Sequence, residues 1–199
     1  MKPITLVTGV FQTNTYIFEA EKSIVIIDPG DDADKIAQIA LEIGKPIKHI
    51  LLTHAHYDHV GAVGLLQKVG AKVYLHKSDF ENVKSGEYVF GKVTPDVLLE
   101  KDEIFNIDNL KIQNLHTPGH SAGSTCYIVD DIMFSGDTLF LEEIGRCDLP
   151  SGDLEVMKKT LKRLFDIFRV EGKDYQVLPG HGATTTLSHE AKYNPYANS

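Results

Sequence analysis

The sequence predicts an α/β protein whose sheets pack together with helices outside. Strand-like and helix-like runs alternate along the chain in two halves. Several apolar strands end in a tight turn and are followed at once by His or Asp. Hydrophobic residues make up 42% and charged residues 24% of the 199 positions, an ordinary balance for a soluble globular enzyme. That length suits one domain over residues 1–199, or two tightly fused halves, and can bury a substantial core.

Taken in order, the first strands are expected at Ile4-Val7, Thr13-Phe18 and Ser23-Ile27, the last two forming a hairpin across Glu19 to Lys22. Asp28-Pro29-Gly30-Asp31-Asp32 is turn chemistry and ends at a helix N-cap. Ile36, Ile39, Ala40 and Ile43 recur at helical spacing over 33–43, and Gly44 supplies the stop. Ile47 to Leu52 reads as a buried strand, Val60 to Val69 as a helix ended by Gly70, and Lys72 to Leu75 as a strand. Ser78 to Asn82 suggests a short helix, and Ser85-Gly86 and Val93-Thr94-Pro95 read as loop. Two hairpins follow, Ile104-Ile107 with Leu110-Leu115, and Thr125-Val129 with Ile132-Phe134. From Asp153 to Phe168 the stripe Leu154, Met157, Leu161, Leu164, Phe165 and Phe168 marks the clearest helix. Gln176 to Leu178 returns as a strand.

Charge and composition remove several classes of function. A net charge of −8 argues against nonspecific binding to nucleic acid or to an anionic membrane. The chain has no long uninterrupted apolar segment, and Met1-Lys2-Pro3-Ile4 does not open a signal peptide, so the cytoplasm is the expected compartment. Cys126 and Cys147 are too few for a disulfide framework. Oligomeric state is left open.

The chemistry concentrates in Thr53-His54-Ala55-His56-Tyr57-Asp58-His59, directly after the apolar run Ile50-Leu51-Leu52. Imidazole and carboxylate are what zinc and similar borderline ions bind when a position must stay open for water. On an extended backbone His54 and His56 share one face, while Asp58 and His59 fall where the chain turns and can address a different ion. The same device recurs in Leu115-His116-Thr117-Pro118-Gly119-His120, in Phe134-Ser135-Gly136-Asp137 and in Leu178-Pro179-Gly180-His181. Each turn histidine or aspartate has a bland reading by itself, as a cap or Asx-turn residue. Together, strand ends of this kind converge on one cleft.

On these residues the chain resembles the metallo-β-lactamase superfamily and, within it, the short bacterial branch of the glyoxalase II-like hydrolases. THAHYDH, TPGHSAGS, FSGDTLF, IGRCDLPSGD and LPGHG occur in the family's order and span most of the sequence. The resemblance implies an αββα sandwich of two mixed β-sheets flanked by helices, with the metals at one edge. It implies that His54, His56 and His120 hold one metal, that Asp58, His59 and His181 hold the other, and that Asp137 bridges them. Asp58 and Asp137 are the candidate catalytic carboxylates. Two divalent ions are expected, zinc first, with iron or manganese as alternatives.

Two ions roughly 3.5–4 Å apart can acidify a shared water and stabilise an oxyanion, which is hydrolytic chemistry. No GxSxG elbow supports a serine hydrolase. The relatives suggest a small-molecule thioester such as S-D-lactoylglutathione, with Arg146 gripping a carboxylate of the thiol carrier or, alternatively, pairing with Asp148 or Asp153. The sequence stops at Ser199 without the helical extension of longer glyoxalase II enzymes, which leaves the carrier open. A mononuclear iron persulfide dioxygenase shares the scaffold and most of the ligands and is the competing reading. A noncatalytic or nucleic-acid-processing member is disfavoured by the acidic charge. His116 and Cys147 read as packing and loop residues, His76 as a cleft-edge residue, and His49 and His189 as surface; Asn194-Pro195-Tyr196 resembles the tail of the short branch and is expected to pack near His181, with no role assigned.

Overall fold

The computed structural model of the chain describes residues 2–197. In the first half, β1 (Ile4–Thr8), β2 (Thr13–Glu19) and β3 (Ile24–Ile27) lead into helix α1 (Ala33–Ile43) and strand β4 (Ile47–Leu51). Helices α2 (Tyr57–Val60) and α3 (Val63–Lys68), strand β5 (Lys72–His76), helix α4 (Lys77–Ser85) and strand β6 (Val97–Leu99) complete it. The second half holds β7 (Glu103–Ile107), β8 (Leu110–His116), β9 (Thr125–Val129), β10 (Ile132–Gly136), β11 (Leu139–Phe140) and β12 (Glu143–Ile144). Helix α5 (Leu154–Arg169), strands β13 (Gln176–Pro179) and β14 (Thr185–Thr186), and helix α6 (Leu187–Tyr193) close the chain.

The strands form two mixed sheets, in the orders β1-β2-β3-β4-β5-β6 and β14-β13-β10-β9-β8-β7. Pairing is parallel from β3 to β6 and between β10 and β13, and antiparallel elsewhere within them. Alternation along the strands builds the layers. Tyr16, Phe18, Val25 and Ile27 of one sheet meet Ile112, Tyr127, Val129 and Phe134 of the other in a central core. The intervening Ile17, Ile24 and Ile26 face α1 and α3. Cys126, Ile128 and Met133 face Met157, Leu161, Leu164 and Phe165 of α5. Helices therefore cover both outer faces, as an αββα sandwich requires. Among the described residues no helix is long and apolar enough to cross a membrane.

Three local expectations are corrected. The single helix expected from Val60 to Val69 is two, α2 and α3, because the chain dips at Gly61-Ala62 and the Ala62 N–H donates to the Pro29 carbonyl at 3.0 Å. Asp32 does not cap α1 with its side chain; it takes a left-handed backbone (φ 55°) and its carboxylate accepts from the Gly9 N–H at 3.0 Å. His76 is not at the cleft edge. It is buried and stacks on His116 with ring centroids 3.9 Å apart.

The two sheets are tied together where the site lies. Asn14 donates its backbone N–H to the Gly180 carbonyl at 2.7 Å, and Thr125 donates to the Thr53 carbonyl at 2.8 Å. The Tyr16 hydroxyl reaches the Pro179 carbonyl at 2.6 Å. Residues that follow strands of different sheets are thereby held at one edge.

Candidate metal centre

Each predicted ligand follows a strand. The segment after β4 carries His54 and His56, and α2 adds Asp58 and His59 on its first turns. His120 follows β8, Asp137 follows β10, and His181 follows β13. Gly136, just before Asp137, turns at a positive φ of 51°. Gly180 is required by space, since a Cβ there would lie 2.3 Å from Asp137 Oδ1 and 2.7 Å from His59 Cε1.

All seven predicted side chains come together. His54, His56 and His120 form one group and Asp58, His59 and His181 another, in each of which the ligand atoms lie within 4.8 Å of one another. His56 Nδ1 and His120 Nε2 are 2.9 Å apart, and the Nε2 atoms of His59 and His181 are 3.3 Å apart. The Asp137 carboxylate reaches both groups, with Oδ2 3.6 Å from Nε2 of His120 and of His181 and Oδ1 3.4 Å from Nε2 of His59.

The donor set fits divalent metal. His54 Nε2, His56 Nε2 and Asp137 Oδ1 are buried without a hydrogen-bond partner, an arrangement that costs free energy unless something else satisfies those lone pairs. Burial, reinforced by the neighbouring imidazoles, pushes His54 well below its ordinary value and His56 down to about 3, so both keep the neutral form that ligates. The other group is polarised oppositely. Burial lowers His59, but the carboxylates of Asp137, Asp28 and Asp58 outweigh it and hold the ring at about 9. His181 is also raised, burial being outweighed by its hydrogen bond with Asp58 and by Asp137. Burial would raise the Asp58 carboxyl, yet His181 and His59 hold it well below the usual range.

Two buried carboxylates that support the site escaped the sequence reading. In the sequence Asp28 reads as turn chemistry only. It accepts from the Thr53 N–H (2.8 Å), the Thr53 hydroxyl (2.5 Å) and His59 Nδ1 (3.0 Å). With its oxygens taken in this way, Asp28 orients ligands, although it also lies within ligand range of His54 and His59. Its signal was present, since Ile27-Asp28-Pro29-Gly30 is another strand end followed by an acid. Asp79, fully buried on α4, accepts from the Ala55 N–H at 2.9 Å, the Ser121 hydroxyl at 2.9 Å and the Gly123 N–H at 2.6 Å. It joins the loop of His54 and His56 to the loop of His120. Burial nevertheless raises its carboxyl against those three donors.

A cleft of about 650 Å³ opens over the ligands, walled by Phe11, Tyr57, Tyr88, Phe140, Leu149 and Arg146. The Arg146 guanidinium pairs bidentately with Asp148, Nε to Oδ1 and a terminal nitrogen to Oδ2, both at 2.8 Å. That pair is well exposed and salt-screened. Burial and the nearby Asp148 and Asp153 push the Cys147 thiol up to about 11, so it is no reactive thiolate at neutral pH.

The family model described as the metallo-beta-lactamase superfamily matches residues 8–181. The chain is 34% identical over 207 residues to the hydroxyacylglutathione hydrolase GloC of Haemophilus influenzae, covering 97% of this chain and 96% of that protein. It is 36% identical over 210 residues to the probable metallo-hydrolase YqgX of Bacillus subtilis, covering 100% and 98% of the two chains. It superposes on the solved structure of TTHA1623 in a di-iron-bound form with a TM-score of 0.82 and 36% identity, over 98% of this chain and 100% of that one.

Proposed function

The chain belongs to the metallo-β-lactamase superfamily, and from that premise we propose that it is a dinuclear hydrolase of thioesters such as S-D-lactoylglutathione. Membership and the hydrolases among its relatives support metal-dependent hydrolysis; nuclearity and substrate are the finer part of the proposal. The observation that carries it is the carboxylate of Asp137, which lies within 3.6 Å of ligand nitrogens from both three-residue groups.

Divalent ions held by His54, His56, His120 and by Asp58, His59, His181 would lower the pKa of a water toward neutrality and polarise a substrate carbonyl. The reaction consumes one water and yields a carboxylic acid and a thiol. The chain's own groups prepare it. Asp58, ionised at neutral pH, accepts from the Thr13 hydroxyl at 3.4 Å and faces His181 Nε2 at 3.2 Å, contacts that hold its carboxylate in place within the second group. Asp28 and Asp79 fix the rings and loops before substrate arrives, so little reorganisation is needed at the moment of reaction.

The cleft volume, about 650 Å³, suits a tripeptide-sized thioester. Arg146 is the cation of its wall and would exchange Asp148 for a carrier carboxylate. The hydroxyacylglutathione hydrolase relative supports that carrier, and the di-iron form of TTHA1623 supports two ions without fixing zinc over iron. A mononuclear iron persulfide dioxygenase is the second reading; the hydroxyacylglutathione hydrolase relative favours the first.

The test is hydrolysis of S-D-lactoylglutathione by metal-loaded protein, with an oxygen electrode run in parallel on glutathione persulfide. Thioester cleavage without oxygen uptake is expected. Oxygen uptake by protein holding one iron per chain, with no thioester cleavage, would replace the hydrolase by the dioxygenase.

A further inference from the structure

The chain past β13 leads back to the site. Helix α6 carries Glu190, which is fully buried, and Asn194 follows the helix end, also buried. Glu190 Oε1 accepts from the Thr185 hydroxyl at 2.6 Å. Its Oε2 accepts from the Glu142 backbone N–H at 2.9 Å and from Asn194 Nδ2 at 2.8 Å. Asn194 Nδ2 also donates to the Glu143 carbonyl at 3.2 Å. A carboxylate and an amide from the C-terminal segment thus grip the turn between β11 and β12, at a residue, Glu142, whose φ is +55°.

What that turn holds is the segment over the cluster. Directly after β12, Gly145 runs so close to the ligands that a Cβ would lie 1.8 Å from the Asp137 carbonyl oxygen and 3.0 Å from His120 Nδ1. The next residue, Arg146, offers its backbone carbonyl to His120 Nδ1 at 2.8 Å. A carbonyl can only accept, so the proton sits on Nδ1 and the Nε2 lone pair faces His56 and Asp137. The tautomer and tilt of His120 are set by where the Arg146 carbonyl stands. That carbonyl is anchored three residues upstream by Asn194.

We infer that Glu190 and Asn194 are positioning residues for the metal centre, holding the 142–146 segment so that the Arg146 carbonyl fixes the His120 ring. Through Thr185, which follows His181 on β14 beside β13, the same carboxylate also ties down the segment that carries His181 of the second group. This inference rests on the reading of His120 as a ligand, but its first readout needs neither metal nor substrate.

The experiment is histidine-selective nitrogen NMR of the metal-free protein and competitive zinc titration, on the parent and on Asn194→Ala, Glu190→Gln and Arg169→Ala. Arg169 donates to the Ala191 and Ala197 carbonyls (2.6 and 3.1 Å), so its removal loosens the same tail without touching the hairpin bonds. Asn194→Ala is expected to convert the His120 signal from a single Nδ1–H tautomer to a mixture and to weaken zinc about tenfold, the lower end for loss of a ligand's orienting partner. Glu190→Gln, which keeps one acceptor oxygen, should shift both readouts less in the same direction and serves should the alanine variant not fold. Arg169→Ala should lower the melting temperature and leave both readouts at parent values. A parent-like His120 signal in both hairpin variants, or an equal effect from Arg169→Ala, would overturn the inference. A changed His120 signal with unchanged zinc affinity would sustain the positioning role and refute His120 as a ligand.

Discussion

Nδ1 of His56 and Nε2 of His120 stand 2.9 Å apart although 64 residues separate them in the chain. One follows a strand of the first sheet and the other a strand of the second. Two ring nitrogens facing each other at that distance can share one proton at most. His54 Nε2 and His56 Nε2 are also buried without a hydrogen-bond partner. The polar edge of the sandwich is therefore assembled around a cation rather than around its own hydrogen bonds.

Removing a ligand should separate function from folding. His56→Ala or Asp137→Ala is expected to lower turnover by roughly a thousandfold, the rate equivalent of the several kcal/mol that metal polarisation supplies. The fold should remain, since the helix-facing and inter-sheet cores contain neither residue. Steady-state kinetics with circular dichroism checks both halves; near-parental turnover in either variant would remove that residue from the site.

The two groups should differ in their response to pH. His59, raised to about 9, and His181, also raised, carry protons that an entering cation must displace. Zinc affinity at the second group should therefore climb as pH rises toward 9, by about tenfold per pH unit for each proton displaced. His54 and His56, lowered by burial, give the first group a shallower dependence. The His59 proton also stabilises the metal-free fold. That contribution is full below the ordinary value of 6.5 and is lost as pH rises through about 9. Competitive zinc titrations between about pH 6 and 9 resolve the two slopes, and equal slopes would contradict the assignment.

Asp79 should matter to stability as well as to metal. Asp79→Ala strands the Ala55 N–H, the Gly123 N–H and the Ser121 hydroxyl in a buried setting, with an expected loss of about 3 kcal/mol. Urea unfolding measures it. A loss below about 0.5 kcal/mol would mean that the two ligand loops hold themselves.

Arg146 tests the carrier. Arg146→Ala is expected to raise KM for glutathione thioesters several-fold while leaving kcat nearly unchanged, as for a binding contact made equally in ground and transition states. The present partner, Asp148, is exposed and exchangeable. An unchanged KM would return Arg146 to a surface ion pair.

Much of this site was legible because its ligands follow strands in contiguous motifs, where an apolar run, a turn and a His or Asp are visible together. Asp28 has the same signature, but Asp-Pro-Gly also reads as a turn and masks it. Asp79 has none, since its partners Ala55, Ser121 and Gly123 lie far along the chain. The break between α2 and α3 depends on the Pro29 carbonyl, which periodicity cannot register. Strands β11 and β12 span two residues each, too short for alternation to mark them. Glu190 and Asn194 sit on an unremarkable helix end whose role depends on a hairpin some 50 residues earlier, at Glu142 and Glu143 (separations 48 and 51).

The most direct test of the shared centre is a count of zinc ions by elemental analysis in the saturated parent and in His181→Ala, each assayed on the same thioester. The account predicts about two ions per chain in an active parent and about one in an inactive variant. A fully active parent holding a single ion would contradict it.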